Sequence, residues 1–122
     1  MCIALLGMLD RVAATLGNYM DLLSVRQKMV ASNIANAATP GYKTKDIDFQ
    51  FELRSQMGNS ATAPPQVSEV AGLATRNDGN NVSLDREARL LSENALRFNV
   101  ASQLWKNKMR VLRTAIQDGR NG

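Results

Sequence analysis

A single Pro-Gly step divides this chain. Upstream of it, apolar residues recur at spacings of three and four back to Leu9, and at Thr39-Pro40-Gly41-Tyr42 that rhythm stops. Pro40 lacks the amide hydrogen a continuing helix needs and pushes Thr39 away from helical angles. Gly41 can take the positive φ of a type II turn over Thr39 to Tyr42. A long helix must therefore end by Ala38 or Thr39, and everything after it is a separate construction.

Before the break, Leu9, Val12, Leu16, Tyr19, Leu23, Arg26, Val30, Asn33 and Ala37 fall on one face of a helix suited to a helical partner. The helix is expected from near Met8, or from as early as Ile3, to Ala38. Arg26 and Asn33 interrupt that seam, and a polar group on a seam needs a partner and can fix register. Gly17 weakens the helix by about 1 kcal/mol relative to Ala.

After the break, KTKDIDFQF over 43–51 alternates, with Ile47, Phe49 and Phe51 two apart. That period favours an edge strand or extended arm, the alternative being a short helix running on into Glu52, Leu53 and Arg54. From Ser55 to Asn81 the chain is rich in Gly, Pro, Asn and Ser, a composition expected of a flexible loop or of one ordered by a partner. The DGNN turn at Asp78 to Asn81 should turn it sharply into the last element.

A second helix is expected from Ser83 or Asp85, either of which can accept the first free amide hydrogens, to Gln117, with Asp118 and Gly119 closing it. Asp85 and Glu87 near its start and Arg110 and Arg113 toward its end suit the helix dipole. Leu84, Ala88, Leu91, Ala95, Phe98, Ser102, Trp105, Met109, Leu112 and Ile116 form its stripe, widened by Ala101, Leu104, Val111 and Ala115. At 1.5 Å per residue it spans on the order of 50 Å. The expected fold is all-α: two long amphipathic terminal helices packed as a helical hairpin or coiled coil, with a flexible middle containing a short extended segment. The divisions are 1–38, 39–82 and 83–118. One such pair leaves its flanking apolar residues uncovered, so another subunit is the natural cover.

Chemistry finds few carriers. The chain of 122 residues has no His, one Cys and a net charge of +4, which favours acidic partners without demanding one. Absence of His removes the commonest acid-base group and metal ligand, and no Gly-rich phosphate loop is present. Lone Cys2 gives no intramolecular disulfide and reads as a terminal residue rather than a reactive or lipidated one. Asp46, Asp48, Glu52, Asp85, Glu87 and Glu93 read as surface or helix-start charge rather than as a metal site. No cofactor is expected and no enzyme.

Arg86, Arg89, Arg97, Lys106, Lys108, Arg110 and Arg113 crowd the last helix without forming one dense stripe, and no recognition motif accompanies them, so nucleic acid is not expected as a partner. Trp105 between basic residues hints at a membrane surface, yet it sits on the expected seam. Neither a cleavable export signal nor a run of roughly 20 apolar residues is found, so no stable membrane insertion is expected and any export must use another route.

Two groups of residues carry a family resemblance. Arg26-Gln27 and the run Ser32-Asn33-Ile34-Ala35-Asn36-Ala37-Ala38-Thr39-Pro40-Gly41-Tyr42-Lys43 resemble the N-terminal motif of bacterial flagellar rod, hook and hook-associated axial proteins. Asn80-Asn81-Val82-Ser83-Leu84-Asp85-Arg86-Glu87, with Ser92 to Arg97 and Leu112 to Ile116, is similar to the proximal rod members of that family. Ala38 and Ala88 depart from it, where an acidic or amide residue and Met are common.

The resemblance implies a structural subunit, exported unfolded by the flagellar type III route and built into the helical rod that carries torque across the periplasm. It implies as partners other copies of the chain, other flagellar rod proteins, and the flagellar base adaptor and export apparatus. Under it, Asn33, Ile34, Ala35, Asn36, Thr39, Pro40, Gly41 and Tyr42 are the axial-family motif. Leu16, Leu23, Val30, Leu91, Phe98, Trp105 and Leu112 carry helix packing and assembly, each worth roughly 1.5 to 3 kcal/mol when buried. The residues alone also admit a non-catalytic adaptor whose amphipathic helices engage a helical partner.

Overall fold

The computed structural model describes residues 2–58 and 63–121. Asn59 and Ser60 of the expected loop, and the side chain of Cys2, lie outside what it describes. The fold is predominantly α-helical. Helix α1, Cys2–Ala35, and helix α3, Leu84–Asn121, pack along one another. Asn33 meets Glu87, Leu23 meets Asn94, and Leu16 lies beside Leu104, so the two run in opposite directions.

The α1 seam is buried over the half nearest the turn. Leu22, Leu23 and Val30 are fully buried, and with Ile47 and Phe49 the two leucines make the core, joined by partly buried Tyr19, Val25 and Leu53. Tyr19 meets the Phe49 ring edge-on at 5.7 Å between centroids, a favoured aromatic geometry. The helix tightens at its end, with Ala37 N–H donating to the Ile34 carbonyl and Thr39 N–H to that of Asn36. The turn then closes through Tyr42 N–H to the Thr39 carbonyl, with Gly41 at φ 76°.

Between the long helices lie strand β1, Lys45–Ile47, helix α2, Phe49–Gly58, and strand β2, Val67–Glu69. The strands pair antiparallel, Lys45 opposite Glu69 and Ile47 opposite Val67. The stretch 43–51 thus divides between the two readings, an edge strand over Lys45–Ile47 and the alternative short helix, through Glu52, Leu53 and Arg54, from Phe49. The strand stops at Ile47 because Asp48 caps a helix: its carboxylate accepts from Phe51 N–H at 3.1 Å and its carbonyl from Glu52 N–H at 2.9 Å. Phe49 is consequently buried while Phe51, expected on the same strand face, is exposed.

The loop reading of Ser55 to Asn81 is corrected. Its first residues finish α2, Val67–Glu69 forms β2, and the stretch from Arg76 to Asn81 is bonded to the α1 turn. Composition missed this because backbone and amide bonds, rather than apolar side chains, hold the segment.

Of the two expected caps for α3, Ser83 serves: its Oγ accepts from Arg86 N–H at 3.3 Å and its carbonyl from Glu87 N–H at 3.0 Å. At the other end Gly119 does not close the helix, which continues to Asn121. The face of α3 that meets α1 also differs from the expected stripe. Glu87, Leu90, Asn94 and Ala101 are buried, whereas Leu84, Leu91, Phe98 and Trp105, about one position around the helix, remain exposed. Two polar residues occupy the contact face, and hydrophobic periodicity is blind to them.

Candidate assembly site

The two sequence runs that carry the family resemblance meet in one buried polar node. Asn33, 1% exposed, is at its centre. Its amide nitrogen donates to the Lys45 carbonyl at 2.8 Å and to Glu87 Oε2 at 3.2 Å. Its amide oxygen accepts from Lys45 N–H at 3.1 Å and from the Tyr42 hydroxyl at 2.9 Å. Asn33 thus treats the outer edge of β1 as a neighbouring strand would, while tying α1 to α3.

Charge in the node is balanced. Asp46 Oδ2 accepts from Arg86 Nη2 at 2.7 Å and from Arg26 Nη2 at 3.2 Å, and Arg86 Nη1 donates to Glu87 Oε1 at 2.7 Å. Two guanidinium groups therefore neutralise two carboxylates away from water, where unpaired charge would cost several kcal/mol. The Arg26 guanidinium also lies over the Phe49 ring at 5.7 Å, adding a cation–π contact.

A second set of bonds straps the Arg76 to Asn81 segment over the end of α1. The fully buried Asn80 side chain donates to the carbonyls of Asn36 at 2.9 Å and Thr39 at 2.8 Å, and accepts from Val82 N–H at 2.8 Å. Asn81 Oδ1 accepts from Thr44 N–H at 2.7 Å, Lys43 Nζ donates to the Gly79 carbonyl at 2.7 Å, and Arg76 Nη2 donates to the Ala37 carbonyl. Three of these bonds go to carbonyls of the turn that follows α1, at Asn36, Ala37 and Thr39. Gly79 approaches the Gly41 backbone so closely that a Cβ there would lie 3.3 Å from Gly41 Cα, with φ at 85°.

The expected motif residues have unequal parts. Asn33 and Tyr42 enter the node, Asn36 and Thr39 lend carbonyls to the Asn80 strap, and Asn36 Nδ2 also donates to the Ser32 carbonyl at 2.8 Å. Ile34, Ala35 and Pro40 are exposed, and so is the turn itself at Gly41. Among the packing residues, Leu23 and Val30 are buried, Leu16 and Leu112 are half-buried, and Leu91, Phe98 and Trp105 are 39%, 41% and 36% exposed. Leu91 and Phe98 line an open groove with Leu23, Gln27 and Lys28 of α1. The reading of Asp46, Glu52 and Glu87 as surface or helix-start charge is corrected, since all three are buried, and sequence reasoning gave no bonding role to Asn80, Asn81, Arg86 or Asn94. The available signal was polar residues at helical spacing from the apolar positions, as at Arg26 and Asn33.

The node binds its own backbone and presents no free nucleophile or base. Among the described residues, no group of three or more His, Cys, Asp or Glu could hold a metal ion. No helix there is long and apolar enough to cross a membrane.

A sequence profile of the family described as "Flagella basal body rod protein" matches residues 17–43, the stretch from the α1 core through the Pro-Gly turn. Over 92% of this chain and 99% of the relative, the sequence is 30% identical to the flagellar basal body rod protein FlgB of Escherichia coli (strain K12). It is 29% identical, at the same coverage, to that of Salmonella typhimurium. The protein of the same name from Cereibacter sphaeroides is 36% identical over 79% of this chain and 86% of its own.

Proposed function

Because the chain belongs to the FlgB family of flagellar basal body rod proteins, we propose that it polymerises as a structural subunit of the basal-body rod and helps carry torque across the periplasm. Residues 1–38 and 83–118 act as the axial helices, a hairpin that enters the coiled packing of the tube, and 39–82 forms the part outside it. Its partners are further copies, other rod proteins, and the base adaptor and export apparatus.

The observation that carries this reading is the stripe of Leu84, Leu91, Phe98, Trp105 and Ile116, exposed along a helix whose adjacent face is already fixed against α1 by Glu87 and Asn94. A monomer gains nothing from that much exposed apolar surface, whereas a polymer buries it.

Electron microscopy and subunit counting on purified basal bodies test the proposal. A rod subunit recurs several times in each particle; a chain that is absent, or present once beside the rod, refutes it.

A further inference from the structure

Two exposed helix edges on opposite strands of the pair complement each other. On α3, Lys106, Arg110, Arg113 and Arg120 follow one another at helical spacing and are all exposed. Next to this basic edge run Trp105, Met109 and Ile116, of which Trp105 is 36% and Ile116 55% exposed. On α1, Asp10, Ala14, Gly17 and Asp21 repeat at the same spacing, with Asp10, Ala14 and Asp21 exposed. Beside them lie exposed Leu6 and half-buried Ala13 and Met20, and the space next to Gly17 is open.

Among the described residues, none of these four cations or two carboxylates is in an ion pair within the chain. Asp10 and Asp21 are about 16 Å apart along the helix, within the roughly 21 Å covered by the basic edge.

We propose that the basic-and-apolar edge of α3 docks the acidic edge of α1 from a second copy. This rests on the rod reading and adds which faces of neighbouring copies touch. The apolar rows supply burial, Gly17 lets the backbones approach, and the charges choose α1 over a second α3, which would set basic edge against basic edge.

The test is charge reversal in the full chain, expressed in the encoding bacterium in place of its own copy, with rods counted by electron microscopy and swimming measured in soft agar. The Asp10→Arg/Asp21→Arg and Arg110→Glu/Arg113→Glu pairs should each lower rod number by about tenfold or more, because attraction is replaced by repulsion. The fourfold variant, in which the charges are exchanged, should recover most of that loss. Circular dichroism of each purified variant should match the wild-type helix content, since all four positions are exposed.

Either double variant assembling like wild type, or a fourfold variant no better than the doubles, overturns the docking while leaving the rod reading intact. A wild-type chain that never enters rods overturns both.

Discussion

Replacing Asn33 by Asp changes a single nitrogen to oxygen, and it should cost more than most deletions in this protein. The shape and the acceptor half of the side chain survive, so Lys45 N–H and the Tyr42 hydroxyl keep their partner. The donor half is lost: a carboxylate oxygen would face the Lys45 carbonyl and Glu87 Oε2, which now accept at 2.8 and 3.2 Å. Two buried acceptors without donors cost about 1 to 3 kcal/mol each, and like charge beside Glu87 adds to this. The two acceptors together cost about 2 to 6 kcal/mol, a large part of the roughly 5 to 15 kcal/mol that holds a domain together.

Urea unfolding of the full chain, followed by far-UV circular dichroism at neutral pH, reads this as a lower midpoint. The new carboxyl is disfavoured as an anion in the folded state, so its folded pKa lies above its unfolded one. The deficit should therefore shrink as pH falls and protonation restores a donor. An Asn33→Asp chain within about 0.5 kcal/mol of wild type, or a deficit that grows toward acid, would refute the bonding assigned to Asn33.

Three further outcomes follow from the geometry. Gly79→Ala should destabilise by about 1 to 2 kcal/mol more than Gly72→Ala, since both have positive φ but only Gly79 faces backbone at 3.3 Å; equal midpoints in denaturation would remove the close approach as a cause. Asn80→Ala should accelerate amide hydrogen exchange in residues 36–44 by two orders of magnitude or more, on the loss of about 3 kcal/mol, while the middle of α1 stays protected. Leu90→Ala should cost the isolated chain about 2 to 4 kcal/mol, whereas Phe98→Lys should cost it much less yet abolish rods, and Phe98→Leu should preserve them; loss of rods in both Phe98 variants alike would argue against burial of that residue in the assembly.

The long helices were legible because their determinants are local. Pro40 and Gly41 terminate one, Ser83 starts the other, and apolar spacing runs through both. Arg26 and Asn33 were legible as seam residues that need partners, because a polar side chain amid Leu23 and Val30 has no cheap alternative. The partners themselves were not. Asp46, Asn80 and Glu87 are 20, 44 and 54 residues from the groups they bind on α1 and the turn after it, and no period in the sequence links such distances. The contact face of α3 was misplaced for a related reason: large side chains dominate a hydrophobic stripe, but Glu87 and Asn94 outrank Leu91 and Phe98 for the facing position because only they have carbonyls, amides and guanidinium groups waiting there.

That rotation of α3 connects the buried node to the exposed surface. Apolar side chains alone let two helices slide by a turn or rotate by one position at modest cost, since Leu against Ala and Leu against Val are nearly equivalent. Glu87 bound to Asn33, and Asn94 bound to the Leu23 carbonyl at 3.0 Å and Gln27 Oε1 at 3.3 Å, allow neither. A slip of one turn would strand a carboxylate and an amide among apolar groups, at several kcal/mol. With register and rotation set there, Leu91 and Phe98 are left at the rim of the groove beside α1, and they and Trp105 stay more than a third exposed. The polar residues shared by the two motifs thereby determine which apolar face a neighbouring molecule meets, and breaking the node should misplace that face before it unfolds the helices.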